Sequence, residues 1–198
     1  MRELSLNVMD IVQNSISAGA DLIKIDVCEN QKTDSLVIKI SDNGCGMNEN
    51  QVKSVFRSSR LPFFTTCTTR KVGLGIPLFK MEAEMTGGNL KIDSEKDVGT
   101  VVTAEFVPSH IDMIPLGDIN STVILLIACN EDRNFVFRHK IDSREFTLDT
   151  KKLRSVLGDG VKLNSKDVID WIKGYLGEQT QIIKGEISDE VFSRTSGD

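Results

Sequence analysis

The sequence predicts an α+β protein in which β-hairpins alternate with amphipathic helices. Apolar residues recur with a helical period over residues 4–18, which is typical of a helix with one buried side. Ile23, Ile25 and Val27 alternate with polar residues, as expected for a half-buried strand. A second strand is predicted over residues 35–41, and the short polar loop between the two strands predicts an antiparallel hairpin.

The composition predicts a soluble cytoplasmic protein. The chain has 198 residues, of which 39% are hydrophobic and 27% charged, as in an ordinary globular protein. Its formal charge of −5 argues against nucleic acid as a partner. The first residues begin no signal peptide, and no apolar run approaches the roughly 18 residues of a membrane span, so no membrane partner is expected. The 4 cysteines are scattered singly, which indicates neither a zinc site nor a disulfide framework.

The first predicted helix carries a polar stripe about 80° wide, formed by Asn7, Asp10, Asn14 and Ser17. Such a stripe is usually a solvated face, but this one lacks the Lys and Glu that normally coat such a face. The Asn14 amide oxygen would suit Mg²⁺, which takes its other oxygens from phosphates and water. Asp10, one turn earlier, is the candidate catalytic base, since it could hold or deprotonate an attacking water.

A carboxylate and two glycines follow the second strand in the segment Asp42-Asn43-Gly44-Cys45-Gly46-Met47. Glycines let a backbone approach a flat ligand closely, and a buried carboxylate needs a hydrogen-bond donor. An adenine amino group would supply that donor, whereas the guanine carbonyl would oppose the Asp42 carboxylate, so ATP is preferred to GTP. Asp-Asn-Gly is also a common turn, and the structural alternative stays open.

Residues 50–81 contain no Asp or Glu, although the chain is acidic overall. The basic residues of this segment are Lys53, Arg57, Arg60, Arg70, Lys71 and Lys80. Its middle, Ser58 to Thr69, is a long loop rich in Ser and Thr, and such loops are more often functional than accidental. The segment therefore predicts a cationic lid, with a surface loop of solvated charges as the alternative.

Gly73-Leu74-Gly75-Ile76-Pro77 predicts a helix N-terminus. Free backbone N–H groups and the helix dipole favour an anion there. The helix is expected to end at Met85, before Gly87-Gly88. Strands at 89–94 and 100–107 would complete this half of the chain.

These motifs, in this order, resemble those of the GHKL superfamily of ATP-binding domains, which have the Bergerat fold. Sensor histidine kinases, DNA gyrase, heat-shock chaperones of that class and mismatch-repair MutL share it. Residues 4–108 carry the resemblance. The matching segments are Asp10 to Ala20 for the N box, Asp42 to Gly46 for the first glycine box, Pro62 to Thr66 for the histidine-kinase F box, Gly73 to Gly75 for the second glycine box, and Gly99-Thr100 for the last.

The resemblance implies a two-layer α/β sandwich, with an antiparallel or mixed sheet and helices on one face. It implies ATP and Mg²⁺ as cofactors, with Asp42 on the adenine amine, Thr100 supporting that contact, and Asn14 on the metal. Lys71 and the Gly73 and Gly75 amides would take the phosphates. The nucleotide-contacting residues are then Asn14, Asp42, Gly44, Gly46, Met47, Arg70, Lys71, Val72, Gly73, Leu74, Gly75 and Thr100.

Two departures from the family bear on activity. The position of Asp10 is occupied by Glu in hydrolytic members and by Asn in most histidine kinases. Because Asp is one methylene shorter than the usual Glu base, slow ATP hydrolysis is expected. The histidine kinases also carry a helical hairpin with a phosphoacceptor His before the N box, and only three residues precede Leu4. Self-phosphorylation in the usual manner is not expected, and His110 and His139 are expected to be structural or solvated.

The second half predicts a small α+β domain over residues 109–198, after a first domain at 1–108. A strand meander is expected at Ser121–Cys129, Asn134–Lys140 and Glu145–Leu148. A helix is predicted over Thr150–Leu157, and another begins at an Asn164 cap and carries Val168, Trp171, Ile172 and Tyr175 on its apolar side. Trp171 is expected to be a packing anchor, and the polar tail from Gly177 to be partly disordered.

The sequence thus predicts an ATP–Mg²⁺ binding protein of the histidine-kinase-like ATPase class. It would act as a kinase in trans or as a slow ATPase, coupling its nucleotide state to an unidentified protein partner or phosphoacceptor. A homodimer is one possible assembly. The alternative is a non-catalytic nucleotide-sensing interaction module, anti-sigma-like or a scaffold.

Overall fold

The computed structural model describes residues 3–57, 75–158 and 160–186. The helices are α1 (Leu4–Ser17), α2 (Glu49–Arg57), α3 (Gly75–Met85), α4 (Ile119–Cys129), α5 (Thr150–Leu157) and α6 (Lys166–Lys184). The strands are β1 (Leu22–Asn30), β2 (Ser35–Asp42), β3 (Asn89–Glu95), β4 (Gly99–Phe106), β5 (Asn134–Ile141) and β6 (Arg144–Asp149).

All these strands form one mixed sheet in the order β3-β4-β2-β1-β5-β6. The hairpin predicted from residues 23–41 is confirmed as β1 and β2, which pair antiparallel. β1 pairs in parallel with β5, and the other neighbours are antiparallel. Ile25 therefore faces Ile40 on one side and Phe137 on the other.

One face of the sheet is buried and the other is open. Ile23, Ile25 and Val27 of β1 are 0% exposed, and they belong to the same core cluster as buried residues of α1, α3, α4 and α6. The intervening side chains, such as Lys24 and Asp26, are exposed or half-exposed. The α+β fold with helices on one face of a mixed sheet is thus confirmed.

The local signals of the first half also correspond to real features. Gly19 follows α1 with a φ of +79°, as expected for a left-handed helix cap. Asn48 and Gln51 form a capping box before α2. The Asn48 N–H donates to the Gln51 side chain at 2.9 Å, and the Gln51 N–H donates to the Asn48 side chain at 3.0 Å.

The strand predicted over Ser121–Cys129 is wrong, because this segment lies within helix α4. The Asp118 side chain accepts hydrogen bonds from the Ser121 N–H at 2.9 Å and from its hydroxyl at 2.6 Å, which begins the helix. The segment is almost continuously apolar, and periodicity does not separate a buried helix from a buried strand in such a run.

The remaining strands of the second half do not form a separate meander. β5 pairs directly with β1, so one continuous sheet contains strands from both sides of the predicted domain boundary at residue 108. Phe135 and Phe137 of β5 are each 1% exposed and lie in the same core cluster as the first half. The division into domains 1–108 and 109–198 concerns independent folding and stays a prediction.

Helix α6 differs from expectation at both ends. It begins after Ser165, and the Asn164 side chain instead donates to Glu131 Oε2 at 3.0 Å. It continues past Gly177 to Lys184, and Ile183 in this last part is buried. Residues 187–198 lie outside the described residues.

Trp171 is not the packing anchor that the apolar stripe of α6 predicted, since its side chain is 53% exposed. Its ring stacks on that of Tyr175, with centroids 5.3 Å apart. Ile172 and Leu176 occupy the buried side of the helix instead.

Candidate functional site

A cavity lies at one end of the sheet, between α1, α3 and the adjoining ends of β2 and β4. Its apolar walls are formed by Ile11, Ala18, Met47, Val55, Ile76 and Val102. Its polar side chains are those of Asn14, Ser15, Ser17, Asp42 and Thr100, and Gly46 completes the lining. Five of the residues predicted to contact a nucleotide, Asn14, Asp42, Gly46, Met47 and Thr100, thus line one cavity.

The Asp42 carboxylate is held by two hydrogen bonds from the protein. The Ser15 hydroxyl donates to Oδ2 at 2.6 Å, and the Gly44 N–H donates to Oδ1 at 2.9 Å. Each carboxylate oxygen accepts more than one hydrogen bond, so both keep capacity for a ligand donor. This arrangement fixes an anionic acceptor in the wall of the cavity.

Ser15 is a residue of the site that sequence reasoning missed. It is 4% exposed and follows Asn14 on the buried side of α1, one turn after Ile11. A serine within the apolar side of an amphipathic helix is a signal that could have identified it, because a buried hydroxyl needs a partner.

The glycines of the Asp42 loop are required by protein contacts. A Cβ on Gly44 would lie 2.9 Å from Ala18 Cβ. Gly46 has a φ of +58°, and a Cβ there would lie 1.8 Å from the Glu95 carbonyl oxygen. The loop is therefore closely packed against Ala18, just after α1, on one side and against Glu95, at the end of β3, on the other.

Thr100 is connected to that loop through Ser94. Thr100 faces Asp42 across β2 and β4, and it faces Ser94 across β4 and β3. The Ser94 and Thr100 hydroxyl oxygens are 2.8 Å apart, and the Met47 N–H donates to Ser94 Oγ at 2.9 Å. Ser94 thereby ties the wall of the cavity to the strand that carries Thr100.

Asp10 and Gly75 lie side by side where α1 meets α3. A Cβ on Gly75 would lie 2.8 Å from Asp10 Cβ, so only a glycine allows this approach. Gly75 is the first residue of α3 and is buried, while Asp10 is exposed. The N-terminus of α3 is thus placed beside the polar side of α1.

The polar stripe of α1 does not act as one surface. Asn7 is 6% exposed and donates from Nδ2 to Glu82 Oε2 of α3, which is itself 4% exposed. Ser17 donates to the Gln13 carbonyl oxygen at 2.8 Å. Asn14 is half-buried and lines the cavity.

Five of the predicted binding residues lie outside the described residues, namely Arg70, Lys71, Val72, Gly73 and Leu74. The same holds for the predicted F box, Pro62 to Thr66, and for the middle of the cationic lid. Gly75 is the described residue that represents the second glycine box.

The donor set fits a magnesium ion carried by a nucleotide. Within residues 3–57, 75–158 and 160–186, no three or more His, Cys, Asp or Glu side chains form a cluster able to hold a metal. Mg²⁺ bound with a nucleotide needs few protein ligands, because phosphates and water provide the rest. The Asn14 amide oxygen in the cavity wall is suited to that single-ligand role.

In the same described ranges, no helix combines the length and the apolar character needed to cross a lipid bilayer.

Comparisons with known proteins relate about half of the chain to two kinases. The chain is 26% identical to the sensor histidine kinase YvrG of Bacillus subtilis (strain 168) over 97 residues. The matched segment makes up 49% of this chain and 17% of that kinase. The chain is also 28% identical to sporulation kinase D of the same organism over 96 residues. That matched segment makes up 48% of this chain and 18% of the kinase. The similarity therefore covers less than a fifth of either kinase.

Among solved structures, the crystal structure of the N-terminal domain of a DNA repair protein matches 81% of this chain and 58% of its own. The TM-score is 0.48 and the sequence identity 18%. The family model described as histidine kinase-, DNA gyrase B-, and HSP90-like ATPase matches residues 2–110. The resemblance predicted from the motifs is confirmed, and the chain belongs to this family of ATP-binding domains.

Proposed function

We propose that this protein binds ATP with Mg²⁺ and couples its nucleotide state to a protein partner, as a kinase acting in trans or a slow ATPase. The observation that carries the proposal is the Asp42 carboxylate, held by Ser15 and Gly44 in the wall of an otherwise mainly apolar cavity. The family supports ATP binding. The cytoplasm is the proposed location, on the composition of the chain.

The cavity is suited to an adenine ring. Apolar side chains such as Ile11 and Val102 would contact the faces of the base. Asp42 would accept a hydrogen bond from the amino group on its edge. A guanine carbonyl at the same place would put two acceptors together, which disfavours GTP.

The phosphates would extend toward α3. Its first residue, Gly75, is buried against Asp10, and the free N–H groups of a helix N-terminus attract anions. Asn14 would bind the metal, which neutralises phosphate charge when bound. Asp10 is then the residue of α1 placed to orient a water or an acceptor hydroxyl at the terminal phosphate.

The first test compares nucleotide binding by the wild-type protein and the Asp42→Asn variant, using calorimetry with excess Mg²⁺. We expect ATP affinity to fall by about tenfold or more, since hydrogen bonds to charged groups are the stronger ones. Asp26→Asn is the matched control, because Asp26 lies on the open face of the sheet. Equal ATP binding by wild type and Asp42→Asn would contradict the proposed site.

The second test separates transfer from hydrolysis. The protein is incubated with γ-labelled ATP, alone and with a cell lysate, and label is measured on protein and as free phosphate. Label on another protein supports a kinase in trans, and free phosphate supports an ATPase. Turnover that is unchanged in Asp10→Asn would remove Asp10 as the base.

The exposure of Asp10 favours a second candidate, a non-catalytic nucleotide-sensing module of the anti-sigma-like or scaffold kind. A catalytic base works best when the protein fixes its orientation, whereas Asp10 is exposed. This candidate predicts ATP binding that Asp42→Asn abolishes, with negligible label released or transferred by the wild type.

A further inference from the structure

The contact between α1 and α3 contains a polar pair that lies outside the lining of the cavity. Asn7 and Glu82 are 6% and 4% exposed, respectively, and the Asn7 amide donates to the Glu82 carboxylate. Around them the same two helices contribute Val8, Ile11, Phe79 and Ala83, all at most 2% exposed. A carboxylate is costly in such a layer unless it is hydrogen-bonded.

The pair lies on the same side of each helix as the phosphate end of the proposed site. Asn7 and Asn14 are seven residues apart on α1, and Glu82 and Gly75 are seven apart on α3. Seven residues make about two helical turns, so each couple shares one helix face at a separation of about 10 Å.

The two helices contact each other in opposite chain order. Asn7 meets Glu82 near the end of α3, while Asp10, one turn further along α1, meets Gly75 at the start of α3. A slide of α3 by one turn, about 5.4 Å, would break the hydrogen bond that the buried Asn7 amide donates to Glu82. Neighbouring apolar side chains resist such a slide less, because they can exchange one apolar neighbour for another.

We propose that Asn7 and Glu82 are positioning residues that set the register of α3 on α1. That register keeps the N-terminus of α3, at Gly75, against Asp10, where the proposed function places the nucleotide phosphates. The inference rests on that proposed function. Buried polar pairs that fix one register among several apolar alternatives are the best-attested use of such groups.

The test compares ligands that share a base and differ in phosphates. Mg-ATP affinity is measured by calorimetry and adenosine affinity by ligand-observed NMR, for the full chain and for Asn7→Leu. We expect Asn7→Leu to weaken ATP by about tenfold, the size of a helix-terminus interaction with an anion, and to change adenosine by less than about twofold. An unchanged ratio of the two affinities would overturn the inference.

Val123→Ala is the matched control for loss of stability. Val123 is 0% exposed in α4, away from the cavity lining. The variant is expected to lower the melting temperature while leaving the ATP-to-adenosine ratio at the wild-type value. A shifted ratio in Val123→Ala would show that general loosening produces the effect, and would overturn the positioning role.

The double variant Asn7→Leu/Glu82→Met covers the case in which Asn7→Leu does not fold. Replacing a buried polar pair by apolar residues often preserves or raises stability. We expect the double variant to fold and to show the same weakened ATP binding relative to adenosine. Wild-type values for both ligands in this variant would overturn the inference, while wild-type protein that fails to bind ATP would overturn the proposed function first.

Discussion

The Ser15 hydroxyl of α1 donates to the Asp42 carboxylate of β2 across 2.6 Å, and thereby connects the first helix to the end of the second strand. Ser15 is buried and Asp42 is half-exposed. The bond therefore fixes which way the carboxylate points in the cavity. It leaves that carboxylate with capacity for a ligand donor.

Ser15→Ala is expected to weaken ATP binding by about tenfold, because a hydrogen bond to a charged acceptor is lost and only the Gly44 N–H then orients Asp42. Calorimetry with Mg-ATP measures the change. Ser5→Ala is the control, since Ser5 is 2% exposed on the same helix but does not line the cavity. Equal losses in both variants would show that Ser15 acts only through the stability of α1.

Gly99→Ala is expected to disrupt the site and the sheet together. Gly99 has a φ of +142°, and a Cβ there would lie 2.0 Å from the Asp42 carbonyl oxygen. We expect a loss of about 3 kcal/mol or more in unfolding free energy, measured by urea denaturation, and impaired ATP binding. Gly87→Ala is the control with a φ of +80° and no atom within 4 Å of the added Cβ, and only about 1 kcal/mol is expected there.

Glu29 and His139 form a pair whose two members should respond differently to removal. His139 Nε2 lies 2.8 Å from Glu29 Oε1, and among the described residues His139 Nδ1 is a buried nitrogen with no hydrogen-bond partner. His139→Leu places an apolar side chain between Phe137 and Phe146, and is expected to change stability by less than about 1 kcal/mol. Glu29→Leu leaves the imidazole N–H buried and is expected to cost about 1–3 kcal/mol. Chemical denaturation of both variants checks this order, and the reverse order would contradict it.

The Asp118 cap at the N-terminus of α4 should make the free energy of unfolding depend on pH in the acid range. Hydrogen bonds from the Ser121 hydroxyl and N–H lower the pKa of Asp118 from its ordinary value of 3.8. A carboxyl whose pKa is lowered by folding contributes stability that is present above its ordinary pKa and is lost as the pH falls through its native value. At pH 7, Asp118→Ala is expected to cost about 1 kcal/mol.

That cost should shrink as the pH is lowered below the ordinary pKa of Asp118. Unfolding free energies of wild type and Asp118→Ala, measured between pH 7 and pH 2.5, test the relation. A difference that stays constant over this range would show that the charge of Asp118 contributes nothing to the cap.

Much of the first half could be predicted because its signals are local. A left-handed turn at Gly19 follows from the absence of a side chain, and the Asn48–Gln51 capping box from two side chains three residues apart. The Asp42 loop could be located in the same way, from a carboxylate between a strand and two nearby glycines, and the ordered motifs around it distinguished it from a common Asp-Asn-Gly turn. Such features depend on neighbours in sequence, and tertiary contacts rarely override them.

The second half is harder to predict because the segment of α4 is almost continuously apolar and has no alternation of polar and apolar residues. The apolar segment of α4 suits a strand or a buried helix equally. What made it a helix is the Asp118 cap together with a buried site over the sheet for Val123 and Leu126. The parallel pairing of β5 with β1 could not be predicted from the sequence either. Parallel strands are joined by a long crossover connection, which has no short turn motif to identify it.

By itself, the sequence determined the α+β class, the helix and strand order of residues 4–107 and the family, because periodicity, caps and glycine spacing are properties of neighbouring residues. Only the tertiary structure decided that Ser15 holds Asp42, that Asn7 pairs with Glu82, and that β5 completes one sheet. The partners are far apart in sequence: 27 positions for Ser15 and Asp42, 75 for Asn7 and Glu82, and over a hundred for Ile25 of β1 and Phe137 of β5. Burial in a shared core selects such partners, and no pattern within one segment contains that information.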